Sequence, residues 1–143
     1  MAYITNVHVF YEIAKEAHDA MQSAIENDRN TAFKQSCIAI AFCSMHFEAL
    51  IYIAALQRFG AKTAKEIDKL PYEQRLERLG CPHETLLAGA KELRLQRKEM
   101  IHEKAIDLES SPNLNSMNIR FAWDVADESM EFIDALRLQL IAP

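Results

Sequence analysis

The chain has 143 residues, half of them hydrophobic, and a formal net charge of −5 at pH 7. This length supports one domain, residues 1–143, with a single core, and excludes a second one. Only three residues are glycine, and helix-favouring residues dominate, which predicts an all-α up-and-down helical bundle of four to five main helices. The three cysteines lack the spacing of a zinc site or a disulfide framework, so we expect no metal or cofactor and a cytoplasmic location.

The acidic balance argues against non-specific binding to nucleic acid over the whole surface. The charge is uneven, because residues 58–104 contain eleven Lys or Arg against eight Asp or Glu while the flanking segments are acidic. The apolar run from Cys37 to Gln57 has the length of a membrane span, but His46 and Glu48 at its centre make insertion costly. We therefore expect a helix buried between neighbouring helices and a partner protomer, not a membrane anchor.

Helical spacing predicts a first helix that begins after Thr5 and Asn6 and ends near Asn27 and Asp28. Its predicted core face consists of Val7, Phe10, Ala14, Ala17, Met21 and Ala24.

A second helix, capped by Asn30 or Thr31, is expected to run to Phe59, where Gly60 stops it. Its middle is apolar nearly all round. A single small domain does not need so much apolar helix surface for its own core, so this helix predicts a homodimer.

Residues 61–80 read as a connection with two short helices, one capped by Thr63 and one opened by Pro71 and stopped by Gly80. Their alternating charges predict a solvated face. The charged residues are Lys62, Lys65, Glu66, Asp68, Lys69, Glu73, Arg75, Glu77 and Arg78.

A long third main helix opens near Pro82 and continues to Lys104. Asp107 to Ser116 is the clearest loop, and a last helix is expected from about Asn118. Its predicted core stripe consists of Ile119, Ala122, Trp123, Ala126, Met130, Ile133, Leu136 and Leu140.

The third main helix concentrates the polar residues of interest. Lys91, Arg94, Lys98 and His102 fall on one stripe beside its apolar face, whereas Arg97 lies near the centre of that face, about 140° from His102. A buried guanidinium without a partner costs several kcal/mol, so an anion is expected to meet Arg97.

The spacing Arg97-x4-His102 near the end of a long helix resembles the HEPN superfamily, whose hallmark is Arg-x4-6-His. The upstream segment His46–Ala55, with Glu48 followed by Ala49, is similar to the apolar second helix of that family. The resemblance covers most of the chain. It implies a homodimeric helical fold in which two copies of the Arg and His pair face a cleft between protomers.

The resemblance also implies a metal-independent endoribonuclease, with RNA as substrate and 2′,3′-cyclic phosphate as product. Histidine is suited to proton transfer near neutral pH, and arginine to binding phosphoryl oxygens, so Arg97 and His102 are the candidate catalytic residues. Arg94 and Lys98 are either phosphate contacts or solvated charges. Glu48 either reaches solvent or pairs with Arg97 and fixes its direction.

Many catalytic members of the family place a small polar residue, commonly Asn, directly after the arginine, and this chain has Lys98 there. Lysine can hold phosphate but cannot orient a neighbour as an amide does. The alternative is therefore a non-catalytic HEPN-like dimer that binds a nucleotide, RNA or a protein. Similarity in role to toxins of toxin–antitoxin or defence systems implies an antitoxin or nucleotidyltransferase partner.

Glu99 and His102 also form a Glu-x-x-His step, which occurs in ferritin-like di-iron bundles. That architecture needs two such steps. No other histidine has Glu three residues before it, so the di-iron interpretation is disfavoured.

Overall fold

A computed structural model describes the backbone of residues 2–106 and 114–141 and the side chains of residues 6–100 and 122–140. Within those backbone ranges the chain forms six helices and no strand, which confirms the predicted all-α helical bundle. The helices are α1 (Ala2–Ala24), α2 (Arg29–Phe59), α3 (Ala61–Ile67), α4 (Tyr72–Arg78), α5 (Glu84–Ile106) and α6 (Leu114–Ile141).

Helix α1 runs antiparallel to both α2 and α6, because residue numbers rise along α1 as those of its contact partners fall. The contacting pairs are Val7 with His46 and Phe10 with Phe42 for α2, and Tyr11 with Asp134 and His18 with Asp127 for α6. The predicted core face of α1 is confirmed by the burial of Val7, Ala14, Ala17 and Met21. That of α6 is confirmed at Ala126, Met130, Ile133 and Leu136.

Helix α2 lies at the centre of the bundle and packs against α1, α3, α4, α5 and α6. It is long and apolar enough to cross a membrane by length and composition, but 44% of its most apolar window is buried within the protein. Burial by five neighbours is the behaviour of the core helix of a bundle. The buried face includes Phe47, Leu50 and Ile51.

The ends of α1 and α2 correct the sequence prediction. Helix α1 begins at Ala2, before the proposed cap at Thr5 and Asn6. Helix α2 is capped by Asp28, not by Asn30 or Thr31: Asp28 Oδ1 accepts a hydrogen bond from the Thr31 amide at 3.1 Å, and Oδ2 accepts one from the Thr31 hydroxyl at 2.7 Å. These contacts lower the pKa of the Asp28 carboxyl.

The predicted glycine stop of α2 is confirmed, since Gly60 has φ 87° and donates its amide to the carbonyl of Leu56. Gly80, with φ 81°, follows α4 in the same way. A side chain at either position would be strained.

The remaining helix limits differ by a few residues from prediction. Helix α3 begins directly after Gly60, so Thr63 lies inside it and does not cap it. Helix α5 begins at Glu84, two residues after Pro82. Residues 107–113 of the predicted loop lie outside the described residues, and α6 begins at Leu114, so residues 114–116 are helical.

Candidate functional site

Arg97 lies where α5 meets α2 and the first turn of α4. Its side chain is 40% exposed, so the guanidinium is only partly buried at its predicted place on the apolar face of α5. Helix α4 packs against α5, and the long Arg97 side chain reaches the Tyr72 hydroxyl at the start of α4.

The predicted anionic partner of Arg97 is Glu48 of α2. Arg97 Nη1 lies 3.8 Å from Glu48 Oε2, and the same nitrogen donates a hydrogen bond to the Tyr72 hydroxyl at 3.3 Å. Of the two alternatives for Glu48, the structure shows the ion pair with Arg97, while the Glu48 side chain also keeps 34% exposure to solvent. At 3.8 Å the pair supplies charge neutralisation without a hydrogen bond, so the directional contact comes from Tyr72.

Arg75 of α4 completes the surroundings of Glu48 and corrects the prediction of a solvated charged face. Its side chain is only 9% exposed. Nε donates to the Leu70 carbonyl at 2.7 Å, and Nη1 lies 3.3 Å from Asp68 Oδ1 and 3.8 Å from Glu48 Oε1. The guanidinium also lies over the Tyr72 ring, with Cζ 5.1 Å from its centroid. Glu48 is thus held between two guanidinium groups.

Tyr72 is buried at the start of α4, directly after Pro71. Its hydroxyl lies 2.9 Å from the buried hydroxyl of Ser44, and its ring packs against Phe47 with centroids 4.4 Å apart. Burial raises the pKa of Tyr72 above its ordinary value of 10.0, outweighing the opposing effects of the Ser44 hydrogen bond and the two arginines. The hydroxyl therefore stays protonated at neutral pH and can donate to Ser44 while it accepts from Arg97.

Arg94, one turn before Arg97, makes a bidentate contact with Glu73. Its Nε and Nη2 donate to the two carboxylate oxygens at 3.2 and 2.9 Å. Burial raises the pKa of the Glu73 carboxyl, but the hydrogen bond and charge of Arg94 prevail and hold it below its usual value. Lys98 is exposed, as expected for a solvated charge.

His102 lies within α5, but its side chain is outside the described residues. The predicted pairing of its imidazole with Arg97 therefore stays a prediction. The same holds for the step between Glu99 and His102.

The three arginines differ in how much of each guanidinium the protein uses. In Arg94 the edge formed by Nε and Nη2 binds Glu73, and in Arg75 both Nε and Nη1 are engaged within the protein. In Arg97 both contacts with described residues fall on Nη1. Its Nε and Nη2 make no hydrogen bond or ion pair with the described residues, and this edge has the geometry to bind two oxygens of a phosphate.

Sequence reasoning identified Arg97 and Glu48 but not Tyr72, Ser44 or Arg75. The sequence does contain a signal for two of them, because Tyr72 and Arg75 are three residues apart and therefore adjacent on one face of a helix. Metal-ligand geometry is absent from the described side chains, among which no group of three or more His, Cys, Asp or Glu is placed to hold an ion.

Comparison with protein-family models, with curated proteins and with solved structures finds no match to this chain.

Proposed function

We propose that the chain is a metal-independent endoribonuclease of HEPN type, in which Arg97 binds the scissile phosphate and His102 transfers protons. The observation that carries the proposal is the open edge of Arg97: Nη1 contacts Tyr72 and Glu48, Nε and Nη2 make no hydrogen bond with a described residue, and the side chain is 40% exposed. A guanidinium held at one end is prepared to bind an anion with less loss of side-chain freedom.

The chemistry follows from these two side chains. The ribose 2′-hydroxyl loses its proton to a base and attacks phosphorus, while the bond from phosphorus to the 5′ oxygen breaks and that oxygen gains a proton. The products are a 2′,3′-cyclic phosphate and a 5′-hydroxyl. His102 and its copy in a second protomer supply base and acid, and Arg97 stabilises the extra negative charge on the phosphoryl oxygens.

An apolar stripe on the outer side of α2 supports a homodimer. Six residues fall within about 60° of the helix circumference, opposite the buried face. They are Ile38, Ala41, Met45, Tyr52, Leu56 and Phe59; Ile38 and Phe59 are exposed at 38% and 46%, and the other four are half-buried, with Tyr52 and Leu56 also packed against the core. Glu48 lies at the edge of this stripe, so a protomer seated on α2 would be adjacent to the site of Arg97.

The proposed setting is the cytoplasm, in a toxin or defence system. A nuclease of this kind is controlled by an antitoxin or a nucleotidyltransferase, which belongs to the proposal as its expected partner.

The test is cleavage of a defined single-stranded RNA by purified protein in excess chelator. The wild type should leave 2′,3′-cyclic phosphate ends, and Arg97→Ala and His102→Ala should each lower the rate by at least about a hundredfold, because each removes a group that acts in the transition state. Arg94→Ala is the matched control, since its guanidinium is bound to Glu73. Equal rates for wild type, Arg97→Ala and His102→Ala would reject the nuclease.

A non-catalytic dimeric binding module is the second candidate. It is favoured by the closure of Arg97 Nη1 on Glu48 and Tyr72, which gives the arginine a role in joining α2, α4 and α5. In that case the wild type would cleave no RNA, and Arg97→Ala would lower the stability of the fold.

A further inference from the structure

From the contacts of Arg97 we infer that Tyr72 is a positioning residue, whose hydroxyl fixes the orientation in which Arg97 meets a phosphate. The inference rests on the proposed function for its consequence in catalysis, but the contact itself can be tested without RNA. Neither the Arg97-x4-His102 spacing nor the family resemblance assigns Tyr72 a role.

Tyr72 makes the directional contact with Arg97, whereas Glu48 supplies the opposite charge. The Glu48 carboxylate is 34% exposed and lies 3.8 Å from Arg97 Nη1, beyond hydrogen-bond distance. The Tyr72 hydroxyl is within that distance at 3.3 Å. Among the described residues, it is the group that accepts a hydrogen bond from Arg97.

The Tyr72 side chain is itself held from several sides. It is 3% exposed, and Phe47 packs against its ring while the Arg75 guanidinium lies over the ring. Pro71, with φ −56°, fixes the backbone immediately before it. A hydroxyl on so restrained a ring occupies a nearly fixed point in the site.

Ser44 supports the Tyr72 hydroxyl from the side of α2. The two hydroxyl oxygens lie 2.9 Å apart, and either group can donate in this contact, while the Tyr72 oxygen accepts from Arg97 in both cases. Ser44 is fully buried on α2, one turn before Glu48, so one helix supports both contacts of Arg97.

The test uses Tyr72→Phe, which removes only the hydroxyl, with Tyr11→Phe as control. The Tyr11 hydroxyl is also hydrogen-bonded, to Asp134 at 2.7 Å, but it joins α1 to α6. Nitrogen-15 NMR of the Arg97 guanidinium measures exchange between its two Nη nitrogens, and Arg97→Lys assigns the signals. Tyr72→Phe should speed this exchange by about tenfold, as expected for loss of one charge-assisted hydrogen bond, and Tyr11→Phe should not.

Ser44→Ala is the second variant and should speed the exchange in the same direction by a smaller factor. An exchange rate unchanged in Tyr72→Phe would overturn the inference, whether or not the wild type cleaves RNA. Such a result would assign the orientation of Arg97 to Glu48 alone.

RNA cleavage supplies the functional readout. In an active wild type, Tyr72→Phe should lower kcat by about tenfold with little change in KM, because a misdirected arginine loses contact mainly with the transition state. An unchanged kcat would overturn the positioning role. A wild type that cleaves no RNA would reject the proposed nuclease, and the NMR comparison would still decide whether Tyr72 orients Arg97.

Discussion

Arg97, Arg94 and Arg75 are close together in this protein, yet the contacts of each guanidinium give it a different capacity. Arg94 makes a bidentate contact with Glu73. Arg75 is buried, donates a hydrogen bond to a backbone carbonyl and lies beside two carboxylates. Arg97 alone of the three has its Nε and Nη2 edge without a hydrogen bond or ion pair among the described residues. Hydrogen-bond geometry at single residues, not the number of positive charges, singles out the anion-binding candidate.

His46 is a buried titratable residue away from this site, and it makes stability depend on pH. Its Nδ1 donates to the Val7 carbonyl at 2.8 Å, while Nε2 is buried without a hydrogen-bond partner among the described residues. Burial is the main cause that lowers the pKa of His46 from 6.5 to about 4. The folded state therefore keeps this imidazole neutral at pH values where the unfolded chain binds a proton.

The free energy of unfolding should consequently fall as pH decreases from 7 to 5. For a histidine with a pKa of 6.5 in the unfolded chain and about 4 in the folded protein, the loss is about 2 kcal/mol. At pH values between these two pKa values, the proton binds to the unfolded chain and therefore favours unfolding. Urea unfolding at several pH values measures it. His46→Phe should flatten the curve over this range, and an equal slope in wild type and variant would show that another group is responsible.

The sequence predicts an anion beside Arg97 and offers the Glu48–Arg97 pair as one of two alternatives, because an arginine on an apolar helix face requires an anion. Only tertiary packing brings Glu48 of α2 to Arg97 of α5. The burial of Arg75 was not predictable. Alternating charges in residues 61–80 are typical of solvated helices, and only tertiary packing places Arg75 over Tyr72 beside the Leu70 carbonyl.

Helix packing explains a glycine in the second turn of α5. A Cβ atom added at Gly89 would lie 2.4 Å from Cδ1 of Phe132 on α6, which is far closer than ordinary contact. Phe132 in turn packs against Phe47 of α2, with ring centroids 6.0 Å apart, so a second helix also restrains this ring. Gly89 thus permits the close approach of α5 and α6.

Gly89→Ala should therefore destabilise the protein although alanine favours helix. The gain in helix propensity is about 1 kcal/mol, whereas overpacking costs about 1–3 kcal/mol, which gives a net loss on the order of 1 kcal/mol. Chemical unfolding measures the difference. The neighbouring Ala88 is exposed, so Ala88→Gly should lower the free energy of unfolding by about 1 kcal/mol through helix propensity alone. A Gly89→Ala protein more stable than wild type would contradict the packing argument.

The end of a helix was predictable from sequence where a single residue determines it. Gly60 and Gly80 end their helices in a backbone conformation with positive φ, which glycine adopts without strain. The identity of one residue is therefore enough to predict each helix end. The cap of α2 was placed at Asn30 or Thr31 because several capping residues adjoin one another. Asp28 prevails since its carboxylate binds both the amide and the hydroxyl of Thr31.

At the scale of the whole molecule, α2 has two apolar sides. One forms the core, and the other carries the outer stripe from Ile38 to Phe59. Between these two residues the chain has only two formally charged side chains, Glu48 and Arg58, and both are engaged within the protein. An apolar surface of this length on a central helix supports the proposed dimer, which would bring two copies of α5 to one cleft.

The most direct test of this account is RNA cleavage per chain measured on samples whose mass is determined by sedimentation. We predict that the wild type is a dimer and cleaves RNA. Ile38→Glu should shift the mass to that of one 16.4 kDa chain and abolish cleavage, because a charge on the stripe opposes its burial. Ala88→Glu, on exposed α5 surface, should preserve both mass and cleavage. A wild type that is monomeric while it cleaves, or a dimer that cleaves no RNA, would contradict the account.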